Sequence, residues 1–402
     1  MVSCEPDSDF DFDKKLKFSK LTVEQQKQKI EDQGIAFANA IASIQDTKLF
    51  KTAEHAYELL QKDSTPVSAV MQMMKRDLVN NPNEALNSID RQMRVMAQED
   101  EDFWGEYVYN FTTKEMEKTK VLVNKVIVKF PSNENATTND GLLTFDYTKS
   151  NVKIPDTEEY YPAASALSIV VGSNTLMTAS MTGTYYDDGS PKKADNSLKI
   201  DDFEWTASFE NNQSKATTSY EFKKGKQSLI NAYGEIRGKL SKTNIENAIN
   251  NEKLDQAFEY IAAGVSVMNI GVKTLVKDFK GFFNKMENFD EKGKTEKEIE
   301  EARAKIFNDY TSATAYFVKE DEKFADVKLE VVEKEYVYYD WDQQQQKPIE
   351  ITIKEYNSEP VFVLSDGSKV SPEKFFATGF DNLEKKIEDL ITPYMPKQQT
   401  IK

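Results

Sequence analysis

One cysteine (Cys4) and one histidine (His55) are all that the 402 residues contain. A zinc site built on Cys and His has no ligand set here, and a nucleophilic triad has one imidazole to draw on. His55 lies in the helical-looking stretch Glu54-His55-Ala56-Tyr57, where a surface or half-buried position is its ordinary role. No disulfide can close within the chain, so the fold rests on packing. Neither GxxxxGK[ST] nor GxGxxG occurs, which removes the phosphate-cradling loops. The longest uncharged, apolar-leaning run is Tyr260 to Val272, 13 residues, against the ~20 that a membrane-crossing helix needs. Lys and Arg number 52 against 68 Asp and Glu, a net charge of −16, which disfavours phosphate backbones. No nucleic-acid partner, cofactor, metal or catalytic set is expected.

What the chain does have is aromatic residues. With 24 Phe, 18 Tyr and 3 Trp it is too rich in rings to be disordered. At about 150 residues per domain, the length suggests two to three domains. Glu5, Asp7, Asp9, Asp11 and Asp13 precede the first lysine, Lys14. Such a run predicts an extended, solvated acidic tether over residues 1–20. It is no EF-hand, because Phe12 and Phe18 stand where that loop needs Gly and Glu.

Met1-Val2-Ser3-Cys4 resembles the end of a bacterial lipoprotein signal peptide, the lipobox. The resemblance covers four residues and implies lipidation at Cys4 and attachment to a membrane through that anchor. The acidic run behind Cys4 is similar to signals that send lipoproteins to the outer face of the outer membrane. Together these imply a surface-exposed lipoprotein of the cell envelope.

Residues 21–118 read as a helical region. Thr22 to Gln25 form a capping box, and Ile30, Phe37, Ile41 and Ile44 follow at helical spacing. Val67 to Leu78 and Leu86 to Met96 repeat the pattern, with Met71, Met74, Met93 and Met96 as core positions. Residues 119–310 read as an antiparallel sheet plus one long helix. Val126, Val128 and Phe130 alternate with other residues, as do Trp205, Ala207 and Phe209. Thr178, Ser180, Thr182 and Thr184 form a hydroxyl stripe opposite Met177, Ala179, Met181 and Gly183. From Leu254 to Met286, apolar residues recur at spacings of 4 and 3, which predicts one long amphipathic helix over 243–289. Residues 311–402 read as a C-terminal α+β region. Its strands lead to a hairpin turn at Ser365-Asp366-Gly367-Ser368 and a closing helix capped by Ser371. The expected fold is therefore α+β: an N-terminal helical region, a β-meander packed on the long helix, then C-terminal strands and a closing helix.

Tyr336, Tyr338, Tyr339 and Trp341, with Asp340 among them, form the densest aromatic cluster. Trp104 and Tyr107 beside Glu106 form a second. Flat rings beside carboxylates suit sugar recognition, while Tyr and Trp also serve as ordinary strand residues. The expected function is binding of a glycan, a protein or an envelope component, without catalysis. A second reading is a carrier of a hydrophobic ligand between sheet and helix, lined by Met177, Met181, Met268, Phe279, Phe282 and Phe283. A carboxylate-dependent hydrolase is the third, although 68 acids make the required pair of carboxyls uninformative.

Overall fold

The computed structural model describes residues 10–49, 52, 104–155, 157–342 and 347–391. Cys4 and the Met-rich helices expected between Val67 and Met96 lie outside the described residues. The α+β expectation is overturned. The described residues form seventeen strands, with half of the chain in mostly antiparallel sheet and only 24% in helix. They fall into two compact units.

One unit comprises the described residues of Asn39–Asn212 and Ala216–Asn231. Its strands are β2 (Gly105–Asn110), β3 (Glu115–Val121), β4 (Lys125–Phe130), β5 (Gly141–Lys153), β6 (Tyr160–Val171) and β7 (Asn174–Tyr185). They continue as β8 (Pro191–Ile200), β9 (Phe203–Asn211) and β10 (Lys215–Lys224). β2 pairs antiparallel with β3 and parallel with β4. From β4 to β10 each strand pairs antiparallel with the next. The two-residue alternation therefore separates two faces. Val128, Leu143, Leu167, Met177, Leu198 and Trp205 are buried. Ser180, Ser197 and Thr206 form a continuous rung on the opposite side, and Thr182, Asp195, Ser208 and Ser219 form another. A sheet that packs on one face and is wet on the other requires this pattern.

The second unit comprises the described residues of Met1–Ala38, Gln213–Lys215 and Ala232–Lys402. β1 (Lys17–Phe18) runs parallel to the start of β15 (Glu322–Asp342). β11 spans Gln227–Gly238, and its residues from Ala232 on belong to this unit. β12 (Phe258–Val267), β13 (Ile270–Val276), β14 (Thr311–Phe317), β15, β16 (Lys347–Val363) and β17 (Lys369–Val370) pair antiparallel in sequence order. α1 (Val23–Ala42) starts where Thr22 and Gln25 cap each other, at 3.0 and 3.3 Å. α1 brings Ile30 onto Phe317, Phe324 and Phe362, where Phe375 of α5 (Pro372–Phe376) also packs. α6 (Asp381–Ile391) is held by the buried Glu31, whose carboxylate accepts from the amides of Asn382 and Leu383.

The long helix does not exist. Residues 243–289 form α2 (Lys242–Asn250), a 3-10 turn, β12, β13 and α3 (Phe279–Glu287). A strand that is apolar on both faces satisfies helical spacing as easily as strand spacing. β-branched side chains and glycines decide between them. Ile261, Val265, Val267, Ile270 and Val272 are stiff at χ1 and favour the pleat, and Gly264 and Gly271 would weaken a helix. Met268, at φ 55°, turns the chain between the two strands. The carrier reading loses its helical wall with this correction: Met177 is buried in the sheet core, and Phe279 packs on Phe258 at 6.0 Å.

Within residues 10–18 the apolar side chains are packed and the charged ones are exposed. Phe10 is 3% exposed and abuts Gly264, where an added Cβ would lie 2.4 Å from its ring. Phe12 stacks on Tyr233 at 5.8 Å, and Leu16 is buried. The tether reading therefore stops short of Phe10.

Candidate functional site

β15 and β16 are the longest strands among the described residues, and they pair from Asp326↔Val363 out to Asp342↔Lys347. β14 accompanies β15 only as far as Val327, and β17 meets β16 only at Phe362 and Val363. Beyond those points the two strands form a ribbon. Its base is covered by α4 (Glu296–Tyr310), which begins with a capping box between Thr295 and Glu298. The Asn308 amide of α4 donates to the Leu329 carbonyl at 2.8 Å and accepts from the Leu329 N–H at 2.9 Å. This side chain takes the two main-chain groups that a further strand would use. Ser358 donates to the Glu300 carboxylate at 2.8 Å on the companion strand.

Past this clamp the ribbon has two unlike faces. On one, Tyr336 stands opposite Ile353, Tyr338 opposite Ile351, and Asp340 opposite Ile349. Tyr336 is 47% exposed, Tyr338 44% and Ile353 41%. Aromatic–aliphatic cross-strand pairs contribute about 0.2–1 kcal/mol each, which supports the pairing and leaves this face uncovered. The other face is mainly polar, although Val337 is 53% exposed on it. Lys354 binds Glu333 at 2.6 Å and Glu335 at 3.1 Å, and the Tyr356 hydroxyl donates to Glu333 at 2.7 Å. Those hydrogen bonds, with Lys354 first, hold the Glu333 carboxyl below its ordinary value and push Lys354 up. Tyr339 is 72% exposed on this polar face.

The structure thus brings Tyr336 and Tyr338 together and turns Tyr339 away. Trp341 lies in the β15 backbone opposite Pro348. Trp104 and Tyr107 leave the candidate set, since both are buried in the other unit. Trp104 stacks on Phe145 and Tyr147 at 6.0 and 6.2 Å. Glu106 beside them is buried and paired with Lys129 at 2.9 Å and Lys120 at 3.4 Å, which holds its carboxyl low through the Lys129 hydrogen bond first. Sequence reasoning missed Ile349, Ile351 and Ile353. Their strict alternation in Ile349-Glu350-Ile351-Thr352-Ile353 was the signal, and only the register shows that they share a face with the tyrosines.

A second feature lies under residues 12–16. A cavity of about 430 Å³ opens between this segment and β13, β14 and β15. Its lining holds Lys14, Lys15, Lys273, Lys277 and Lys323 against Asp13 and Asp326. Lys273 is buried, and its ammonium donates to the main-chain carbonyls of Asp11 and Lys14. Burial pushes its pKa down. Beyond the lining, Glu235 is buried among Arg237 (2.5 Å), Lys215 (3.2 Å) and the Tyr233 hydroxyl (3.1 Å). Burial pushes its carboxyl up, but those three partners outweigh it and hold it below the ordinary value. Burial and Glu235 together raise the Tyr233 hydroxyl to about 12.

No known protein family, curated protein or solved structure matches this chain.

Proposed function

We propose that this chain is a binding protein whose contact element is the β15–β16 ribbon. The occupant is an extended segment of a partner protein in which apolar and basic residues alternate. The observation that carries this reading is the amphipathic ribbon: Tyr336, Tyr338, Ile351 and Ile353 share one uncovered face beside strand edges that no described strand occupies. An extended peptide adds to such an edge through main-chain hydrogen bonds and gains specificity from alternate side chains. Exposed apolar patches with polar rims mark contact sites more often than accidents. Three isoleucines favour a protein partner over a glycan, because branched aliphatic chains offer no flat ring face and no hydrogen-bonding group.

Charge supports a basic partner. Glu350 and Glu355 are exposed on the ribbon and have no ion-pair partner among the described residues. In a chain of net charge −16 the long-range field also favours cations. Attachment to a cell envelope through Cys4 is part of the same proposal, supported by Val2-Ser3-Cys4 and the acidic run behind it. A ribbon that presents its apolar face to a partner suits a protein held at a surface. The experiment is selection of a random peptide library on the intact chain, with a glycan array in parallel. Peptides that alternate apolar residues with Lys or Arg, and that lose binding to Ile351→Asp, would support the reading. Glycan binding that depends on Tyr336 would replace it.

A further inference from the structure

We infer that the cavity under residues 12–16 is a binding site for a small multivalent anion carrying carboxylate or phosphate groups. The inference stands on charge and geometry. Acids outnumber bases across the chain, yet five lysines meet two aspartates in this one lining. Three of the lysines are neutralised: Lys277 by Asp13 at 2.5 Å, Lys323 by Asp326 at 2.6 Å, and Lys14 by Asp321 outside the lining. Lys15 and Lys273 form no ion pair among the described residues, although the Asp11 and Asp13 carboxylates act on Lys273 through space. An ammonium has three donors, and Lys273 uses two on the carbonyls of Asp11 and Lys14. The same ammonium lies 5.7 Å from the centroid of the Tyr316 ring.

Two ammonium groups outside any ion pair beside one cavity favour a carboxylate- or phosphate-bearing anion over chloride. Ser312 and Thr314, which share the Lys273 face by register, add hydroxyls around the same space, and Leu16 and Leu275 give it an apolar wall. A volume of about 430 Å³ falls within the range of small-molecule sites, roughly 300–1,000 Å³. It leaves room for a short hydrocarbon body between charged groups. The site is built by the segment that covers it. Phe12 against Tyr233 and the buried Leu16 fix that segment on either side of Lys14 and Lys15, so its lysines are positioned before any ligand arrives.

The test is isothermal titration calorimetry of the intact chain with two probes, inorganic pyrophosphate and citrate. Saturable binding of at least one is expected, and which one binds separates phosphate from carboxylate recognition. Lys15→Glu should weaken that binding by about ten-fold or more, and Lys15→Gln by less. Lys192→Glu, an exposed position on β8, should leave it unchanged. Lys15 is itself exposed, so its variants are expected to fold, which near-ultraviolet circular dichroism verifies. Absence of saturable heat with both probes would overturn the inference. Equal affinity in Lys15→Glu and Lys192→Glu would overturn it too.

Discussion

At the scale of single residues, much of this protein's order comes from side chains that the acidic composition hides. Asp9-Phe10-Asp11-Phe12-Asp13 reads as a charge run, but its alternation with period two is also the mark of a segment with one face down. The rings decide the outcome: Phe10 lies against Gly264, which has room for nothing larger. Gly264→Val should destabilise the protein by about 1–3 kcal/mol through overpacking. In a Phe10→Ala background the same change should cost measurably less, a coupling that urea denaturation of the double-mutant cycle detects. Glu235 sets an acid limit. Its folded pKa lies below the ordinary 4.5, so its stabilisation is present above that value and is lost as pH falls through the lower, folded one. Glu235→Gln should flatten the loss of stability below pH 4.5, as followed by thermal melts at stepped pH. Neither role was legible in the sequence: Phe10 meets Gly264 across the chain, and Glu235 is held by Tyr233 and Arg237 only because all three side chains come together, with Lys215 of another strand.

At the scale of elements, local chemistry was legible and longer-range choice was not. The caps at Thr22 and Ser371 and the turn at Ser365 to Ser368 stand where the residues indicate. Each is a contact between near neighbours, so composition alone determines it. The stretch from Leu254 to Met286 failed for the opposite reason. Its apolar spacing is compatible with helix and strand, and the pairing of β13 with β14 across more than 30 residues settles the matter. The α4 cap controls the base of the ribbon, because α4 carries Asn308 onto Leu329. Thr295→Ala should lower stability by about 1 kcal/mol, read from urea midpoints. Ser180 and its neighbours were legible as a hydroxyl stripe, since alternation in a meander needs no partner to be recognised.

At the scale of the whole molecule, the acidic charge and the uncovered ribbon face point the same way, toward a partner that brings both cations and apolar groups. The aromatic cluster from Tyr336 to Trp341 was visible in the sequence. Its division between two faces was not, because one residue of register reassigns every side chain. Tyr336→Ser and Ile351→Asp alter exposed or half-exposed positions on a two-stranded element. They should change global stability by no more than about 1 kcal/mol, the worth of one cross-strand pair, so a loss of binding in these variants reports on contact rather than folding. The central measurement is the affinity of one library-selected peptide for the intact chain, for Ile351→Asp and for Tyr339→Ser on the polar face. The account predicts that Ile351→Asp weakens binding by about ten-fold or more, that Tyr339→Ser leaves it intact, and that added salt weakens the wild-type complex. Equal affinity for all three proteins would contradict it.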